Sequence, residues 1–343
     1  MIKTAYDVII VGAGPAGLRC AEILGQAELS VLLLEKNAVM GQKVCGGGIT
    51  RKDLEILNIP NELIEHKLTK TSVHSRNNTS VTDTPDPFVF TISRAVLGNW
   101  QHQKLEKTEV VVLTNAKVTE ITKEWVLVNG KDKYGYKYIV GADGVSSMVR
   151  RYLKIPTEKR LIGIQYLIPS KEAPSLGIYM DAKLFKAWYA WKFPHKDHIA
   201  VGCCADPKLI PAAKLKKNFS IWLDKKGFDI SNAKYQSWPI SYDYRGYIFG
   251  NVFLVGEAAG LASGFTGEGI YQALTSGDTV ARTILDSKYA SKEMDEVLKY
   301  NKIQYRIMKF LYYAGPFRGI FHALVIMAFN NKRIKAKINS GFS

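Results

Sequence analysis

The chain has 343 residues, 47% of them apolar and 23% charged, which excludes a disordered or fibrous protein and leaves room for one large domain or two interwoven ones. An excess of 47 Lys and Arg over 31 Asp and Glu gives a net charge of +16. The four cysteines, Cys20, Cys45, Cys203 and Cys204, lack the spacing of a disulfide framework, which fits a reducing, cytoplasmic setting.

Residues 6–11 form a continuous β-branched run, as expected of a strand buried on both faces. Gly12-Ala13-Gly14-Pro15-Ala16-Gly17 follows, then helical spacing over 18–26. A second strand over 30–34 ends at Glu35, 18 positions after Gly17. In such a βαβ unit Gly12 makes a tight turn, Gly14 lets backbone N–H groups approach a pyrophosphate, and Gly17 lets the helix pack close. The helix N-terminus adds partial positive charge. Glu35 accepts hydrogen bonds from a ribose and repels a 2′-phosphate, favouring FAD or NAD over NADP as the held nucleotide. The start of the chain has no basic n-region or cleavage site and is not read as a signal peptide.

Further on, residues 138–141 read as a strand entering the turn Gly141-Ala142-Asp143-Gly144, followed by Ser147 and Arg150. Residues 161–168, 175–180, 187–193 and 198–204 read as strands of an antiparallel sheet with one solvated face, and 207–227 as a Lys-rich helix. Alternation puts Tyr189, Trp191 and Phe193 on one face, either as core packing or as an aromatic wall for an apolar ligand. His195 and His198 read as a polar hairpin turn; no metal site is expected. A buried strand over 252–255 ends at Gly256-Glu257, and Gly264-Phe265-Thr266-Gly267-Glu268-Gly269-Ile270 opens a helix. Two glycine-rich turns some 250 residues apart can clamp one long ligand from both ends, which fits FAD. No second dinucleotide-binding unit is present, so a nicotinamide donor would visit an open groove.

The last 47 residues carry nine basic side chains (Lys299, Lys302, Arg306, Lys309, Arg318, Lys332, Arg333, Lys335 and Lys337) and no acidic one. Over 297–312 a basic stripe at spacings of 3, 4 and 3 runs beside an apolar stripe of Tyr300, Ile303, Ile307 and Leu311. A second helix follows Gly315-Pro316, with Phe317, Ile320, Phe321, Leu324, Val325 and Ala328 in register and Ile326, Met327 and Phe329 making it apolar nearly all round. This pattern suits either an interfacial helix on anionic lipid or packing on the rest of the protein with solvated lysines. No nucleic-acid motif accompanies the charge. No run of ~18 apolar residues predicts a spanning helix.

The Gly12–Gly17, Gly141–Arg150 and Gly256–Ile270 motifs together resemble the flavoprotein monooxygenase superfamily with the hydroxybenzoate-hydroxylase fold. Lys43-Val44-Cys45-Gly46-Gly47-Gly48-Ile49 and Tyr189-Ala190-Trp191-Lys192-Phe193-Pro194 are similar to the geranylgeranyl reductase family within it. The likeness covers residues 1–290. It implies an α/β fold with a Rossmann-type FAD domain (1–160 and 242–290) and an inserted antiparallel-sheet substrate domain (161–241), to which the tail spacing adds C-terminal basic amphipathic helices (291–343). It also implies tightly bound, non-covalent FAD. Gly12, Ala13, Gly14, Pro15, Ala16, Gly17, Glu35 and Lys36 would hold the ADP half, with Arg94 nearby. Val118, Ala142, Asp143, Gly144, Gly256, Glu257 and Gly264 complete the cradle, and Gly267, Glu268, Gly269 and Ile270 line the isoalloxazine. Cys45 and Gly46 would touch the flavin. Gly47, Gly48, Tyr189, Trp191 and Phe193 would touch substrate, and Cys45 and Tyr189 would assist catalysis; for Cys45, proton donor, flavin contact and packing stay open.

The activity implied is reduction of C=C bonds in an isoprenoid chain or another apolar lipid, by hydride from reduced flavin, with NAD(P)H or reduced ferredoxin as transient donor. A hydroxylase or halogenase of the same fold is the alternative, and a non-catalytic basic binding module a third reading. The cysteine usage and the tail pattern, rather than the likeness, would place the protein in the cytoplasm, peripheral on the inner face of an anionic membrane through residues 297–337. Three departures stand out: Glu257 replaces the family's Asp, Gly264 replaces a Pro and predicts a looser loop, and the short chain predicts an abbreviated lipid tunnel.

Overall fold

The computed structural model describes residues 4–75 and 78–330, the side chains of 325 and 327–330 excepted. The basic run Lys332, Arg333, Lys335 and Lys337, and the side chains of Val325, Met327, Ala328 and Phe329, lie outside the described residues.

In chain order the elements are β1 (Ala5–Val11), α1 (Pro15–Gln26), β2 (Val31–Leu34), β3 (Gly48–Thr50) and α2 (Arg51–Leu57). Then come β4 (His66–Leu68), β5 (Lys70–Ser75), β6 (Asn78–Asp83), β7 (Val89–Thr91), α3 (Arg94–Leu105), β8 (Val111–Leu113), β9 (Val118–Ile121) and β10 (Trp125–Val128). β11 (Asp132–Gly141), α4 (Met148–Tyr152), β12 (Arg160–Pro169), β13 (Leu176–Met180), β14 (Ala190–Pro194) and β15 (His198–Ala205) follow. The last described elements are α5 (Ala212–Lys226), β16 (Lys234–Ser241), β17 (Ile248–Phe249), β18 (Val252–Leu254), α6 (Ile270–Leu285), α7 (Lys292–Tyr313) and α8 (Arg318–Asn330).

The first sheet runs β17-β18-β11-β1-β2-β8, with β10 and β9 continuing from β11. Its centre is parallel: β1 pairs with β2 and β11, β2 with β8, and β11 with β18. Val8, Ile9 and Ile10 are fully buried because both faces are covered, one by α1 and α6, the other by α4 and α7. Small residues let α1 and α6 approach closely: a Cβ on Gly277 would lie 2.3 Å from the Ala16 carbonyl oxygen.

The second sheet has the order β16-β12-β15-β14-β13-β5-β6. It corrects the expected boundary at residue 161, since β5 and β6 come from the first part of the chain. It is also not wholly antiparallel, because β5 joins the open edge of β13 in parallel. An unpaired β13 edge would leave its N–H and C=O groups without partners, and a long-range strand supplies them. α5 covers one face with Leu215, Phe219, Trp222 and Leu223. A small antiparallel sheet, β3-β7-β4, links the two bodies.

The strand expected over 187–193 begins only at Ala190. Residues before it turn tightly, Phe185 N donating to Asp181 O (2.8 Å) and Trp188 N to Phe185 O (2.9 Å), so Tyr189 lies ahead of the strand.

α7 begins in one core and ends in the other. Met294 and Val297 pack under the parallel sheet, while Met308 and Leu311 pack against the second. The expected apolar stripe therefore divides between solvent and core. Leu311 is buried, but Tyr300, Ile303 and Ile307 are exposed, joined by Phe310, Tyr313, Phe317, Ile320 and Leu324. Arg318 is no solvated cation either: it is buried and donates to the carbonyls of Leu311 (2.6 Å), Ala182 (3.1 Å) and Tyr312. It satisfies the last carbonyls of α7 where the chain turns into α8. α8 lies across β5 and β6.

Candidate functional site

The carboxyl ends of the parallel strands converge at one edge of the first sheet, where ligands of doubly wound folds bind. Gly12 N donates to Leu34 O (2.7 Å), Ala142 N to Val11 O (2.8 Å), and Val255 N to Gly141 O (2.9 Å). These bonds bring the 12–17, 141–144 and 255–260 turns together. Gly12 has φ +102°, and a Cβ there would meet the Ala142 oxygen at 2.5 Å; one on Gly17 would meet the Gly12 oxygen at 2.0 Å. At Gly14 a Cβ would find only the Ala142 oxygen, at 4.0 Å, so its face is open.

α1 starts beyond Gly14 with no side-chain cap and no acid in its first turn, and α6 starts beyond Gly269 in the same way. A Cβ on Gly256 would touch both Ala16 and Ala273 at 3.4 Å, so the first turns of the two helices flank one point. Two uncapped helix N-termini directed there favour a diphosphate.

Glu35, at the end of β2, is buried and accepts from Ala13 N (2.8 Å), Asn37 N (2.9 Å) and Asn37 Nδ2 (2.8 Å). It therefore fastens the phosphate turn as well as presenting a carboxylate to a ribose. Lys36 beside it is exposed. Val118 stands apart: its side chain belongs to the hydrophobic core.

The longer arm of Glu257 is accommodated by an ion pair with Lys43 of the Cys45 segment. Its other oxygen is buried without a partner, as is Arg94 Nη1 at the first residue of α3. Asp143 Oδ2 accepts from Met148 N (2.5 Å) and Val149 N (3.4 Å), capping α4, and burial pushes its carboxyl up. Its Oδ1 has no partner. The open Gly14 face, the two helix ends and these orphaned buried atoms fit a dinucleotide such as FAD. Arg150, the last residue of the second motif, has a structural duty instead. It is buried, pairs with Asp243 and donates to the carbonyls of Pro156 (2.8 Å), Ala258 (3.0 Å) and Asp243 (2.7 Å).

Beside the cradle, the 45–48 segment lies directly on β14. A Cβ on Gly46 would come 3.0 Å from the Phe193 ring, and one on Gly48 2.4 Å from it. Gly47 has φ +74° and a Cβ there would meet His195 Cε1 at 2.4 Å. The glycines are thus required by the aromatic strand beneath them. Cys45 Sγ accepts from Gly47 N (3.4 Å), and Cys45 O accepts from Gln165 Nε2 (3.2 Å). Trp191, also under Gly46, has a buried Nε1 with no partner.

Tyr189 does not share this contact. Its ring is edge-on to Trp191 at 6.5 Å, and its hydroxyl donates to Thr266 O (2.8 Å) in the loop before α6. Burial, then Cys204 and Glu268, hold its hydroxyl well above the usual tyrosine range. Gly264 packs on the Tyr242 ring, its carbonyl accepts from Trp188 Nε1 (3.0 Å), and Ser263 Oγ accepts from Phe265 N (3.2 Å) and Thr266 N (3.0 Å). Glu268, in the same loop, has its carboxyl pushed up to about 7 by the protein crowded round it and then by Asp53.

Sequence reasoning missed Gln165, Glu65, Asp53 and the buried role of His195. Only Asp53 left a local trace, the Thr50-x-x-Asp53 capping box at the start of α2, where Asp53 accepts from Thr50 N (2.7 Å). His195 sits in the expected hairpin turn between β14 and β15, its N–H donating to His198 O (2.8 Å), but its side chain is buried: its Nδ1 pairs with Glu65 and its Nε2 lies 3.0 Å from Gly46 O. Among the described residues no group of three or more His, Cys, Asp or Glu is placed to hold a metal ion.

A Rossmann-type sheet ending in a glycine turn, two open helix N-termini and a buried acid on the second strand defines a dinucleotide-binding protein. Residues 5–285 match the FAD binding domain family, and the chain belongs to it. It is 26% identical over 310 residues to a geranylgeranyl diphosphate reductase from Rhodobacter capsulatus, covering 84% of this chain and 78% of the relative. It is 28% identical over 302 residues to digeranylgeranylglycerophospholipid reductase 1 from Methanococcoides burtonii, covering 80% and 73%. The fold is similar to that of a geranylgeranyl bacteriochlorophyll reductase-like protein from Thermoplasma acidophilum (TM-score 0.77, 18% identity, 95% of this chain and 91% of that one).

Proposed function

We propose that this flavoprotein reduces carbon–carbon double bonds in the isoprenoid chain of a lipid. The carrying observation is the contact of the 45–48 glycine segment with Trp191 and Phe193, beside the turns that cradle the dinucleotide. Relatives named for reduction of geranylgeranyl compounds support the substrate class. Bound and reduced, FAD supplies a hydride to one alkene carbon, and the other carbon takes a proton.

An isolated alkene accepts hydride poorly, so the surrounding residues must exclude water and place the proton. Trp191 and Phe193 hold an apolar chain by dispersion. Tyr189 already donates its proton to Thr266 O, which makes it a wall and loop tie first. Cys45, with Gly47 N directed at its sulfur, belongs to the segment over the Trp191 and Phe193 rings and assists there in this reading. NAD(P)H or reduced ferredoxin is the electron donor in this reading, visiting from solvent.

Substrate arrives from a lipid surface. Lys299, Lys302, Arg306 and Lys309 are exposed, each one residue before an exposed apolar side chain (Tyr300, Ile303, Ile307, Phe310). Phe317, Ile320 and Leu324 prolong that ridge. Paired basic and apolar stripes suit anionic lipid. Among the described residues no helix is long and apolar enough to cross a membrane.

Anaerobic incubation of the dithionite-reduced protein with a geranylgeranyl lipid tests the activity by mass spectrometry. The expected product carries two more hydrogens per reduced bond. Turnover that stops without oxygen and adds an oxygen atom when it is present would instead establish a hydroxylase.

A further inference from the structure

We infer that His195 is a positioning residue whose cationic form holds the 45–48 segment in place. Its Nδ1 meets the carboxylate of Glu65 and its Nε2 lies 3.0 Å from the Gly46 carbonyl oxygen. Both partners are acceptors only, and neither can donate a proton back. A neutral imidazole has a single N–H, so it satisfies one partner and turns a lone pair on the other. The imidazolium alone satisfies both.

The contact is built into the packing. The His195 side chain is 5% exposed, and its ring lies where a Gly47 Cβ would be. Gly47 is held as well by Ile92 N, which donates to its carbonyl (3.0 Å). Glu65 is fixed in turn by its own N–H, donating to Thr91 O (2.8 Å). The other titratable groups facing the ring are Asp197 and His198 of the same hairpin, His198 stacked on it at 4.5 Å. Lys43, the nearest cation of the held segment, is engaged by Glu257.

Burial by itself lowers the imidazole, but Glu65, the Gly46 carbonyl and Asp197 together outweigh it and raise the group above 6.5. The sign follows: the tether is made at low pH and is lost as pH rises through the folded-state value, above 6.5. At Cys45, a neighbour of Gly46, that loss frees the segment lying over Trp191 and Phe193. The inference rests on the proposed function only for its consequence at the flavin; the tether stands on its own contacts.

Hydrogen exchange of residues 44–48 in the FAD-bound protein, corrected for intrinsic rates between pH 5.5 and 8.5, reads the tether. The ¹³C-labelled His195 resonance gives its titration. Wild type should lose about tenfold protection as His195 deprotonates, the loss of one charge-assisted hydrogen bond. His195→Gln, which keeps one donor and no charge, should show weaker protection without that pH step. Glu65→Gln should move the step and the titration down by about one pH unit. Protection independent of pH in wild type, or a step at the same pH in Glu65→Gln, would overturn the inference, and Glu65→Gln decides it if His195→Gln does not fold. Visible absorbance of the same samples reports FAD; a colourless protein with an intact step would sink the functional reading and leave the tether.

Discussion

The three glycines of the first turn differ in what surrounds them, and so should their variants. Gly14 opens on empty space and has φ −75°, so Gly14→Val should fold with stability within about 0.5 kcal/mol of wild type yet lose the yellow colour of bound FAD. Gly17→Val drives a side chain into the Gly12 carbonyl and should lower the melting temperature itself. Absorbance per mole of protein and a thermal melt of each separate the two effects; equal colour in Gly14→Val and wild type would contradict the cradle.

Asp53 supplies a pH signature. It is 2% exposed, and burial, opposed by its bonds to Thr50, raises its carboxyl to about 6 from 3.8. A raised acid stabilises below its unfolded value and loses that contribution as pH climbs through the folded one. Stability should therefore fall by about 1–3 kcal/mol between pH 4 and 7. Asp53→Asn, whose amide oxygen still accepts from Thr50, should flatten that part of the curve in urea titrations. Parallel curves would assign the change elsewhere.

At the scale of elements, α7 and α8 carry the most information. Helical spacing over 297–312 was legible, but its phase was not. Which face of an amphipathic helix is buried depends on where it is anchored, and Met294, Val297, Met308 and Leu311 anchor α7 in two separate cores. Arg318→Met removes three charge-assisted bonds at the α7–α8 turn and should cost about 2–4 kcal/mol in chemical denaturation. An unchanged midpoint would mean that water replaces those bonds.

The exposed ridge makes the opposite prediction. Ile303→Glu/Phe317→Glu/Leu324→Glu should leave stability nearly unaltered but abolish sedimentation with anionic vesicles. Each side chain withdrawn from lipid forfeits about 1.5–3 kcal/mol. Wild-type binding should also weaken at 1 M salt, where the Debye length is ~3 Å. Co-sedimentation of the triple variant at wild-type level would show the ridge to be an ordinary solvated surface.

For the whole molecule, α7 and the small β3-β7-β4 sheet join the two bodies, so they should unfold together. Calorimetry should give one transition, raised by FAD. At a thousandfold excess over the dissociation constant the ligand adds about 4 kcal/mol, which stripping the cofactor should remove. Two transitions, only one of them answering to FAD, would show that the bodies fold independently.

Residues adjacent in sequence settle adjacent geometry: a β-branched run, a glycine turn, an uncapped helix and an acid at the next strand end together determined the parallel sheet and its nucleotide edge. Alternation likewise put Trp191 and Phe193 on one face, though Tyr189, expected with them, lies ahead of the strand, and their contact with the 45–48 segment came from the fold. What depends on chain returning from far away was not readable. β5 completing the β13 edge, Glu257 reaching Lys43 across 214 positions and Glu65 reaching His195 across 130 are pairings among many that composition and period allow. The burial of His195 and Arg318, and the outward turn of Phe310 and Phe317, belong to the same class. Periodicity assigns side chains to faces of their own element; only packing against distant elements decides which face meets water and which polar group needs a partner.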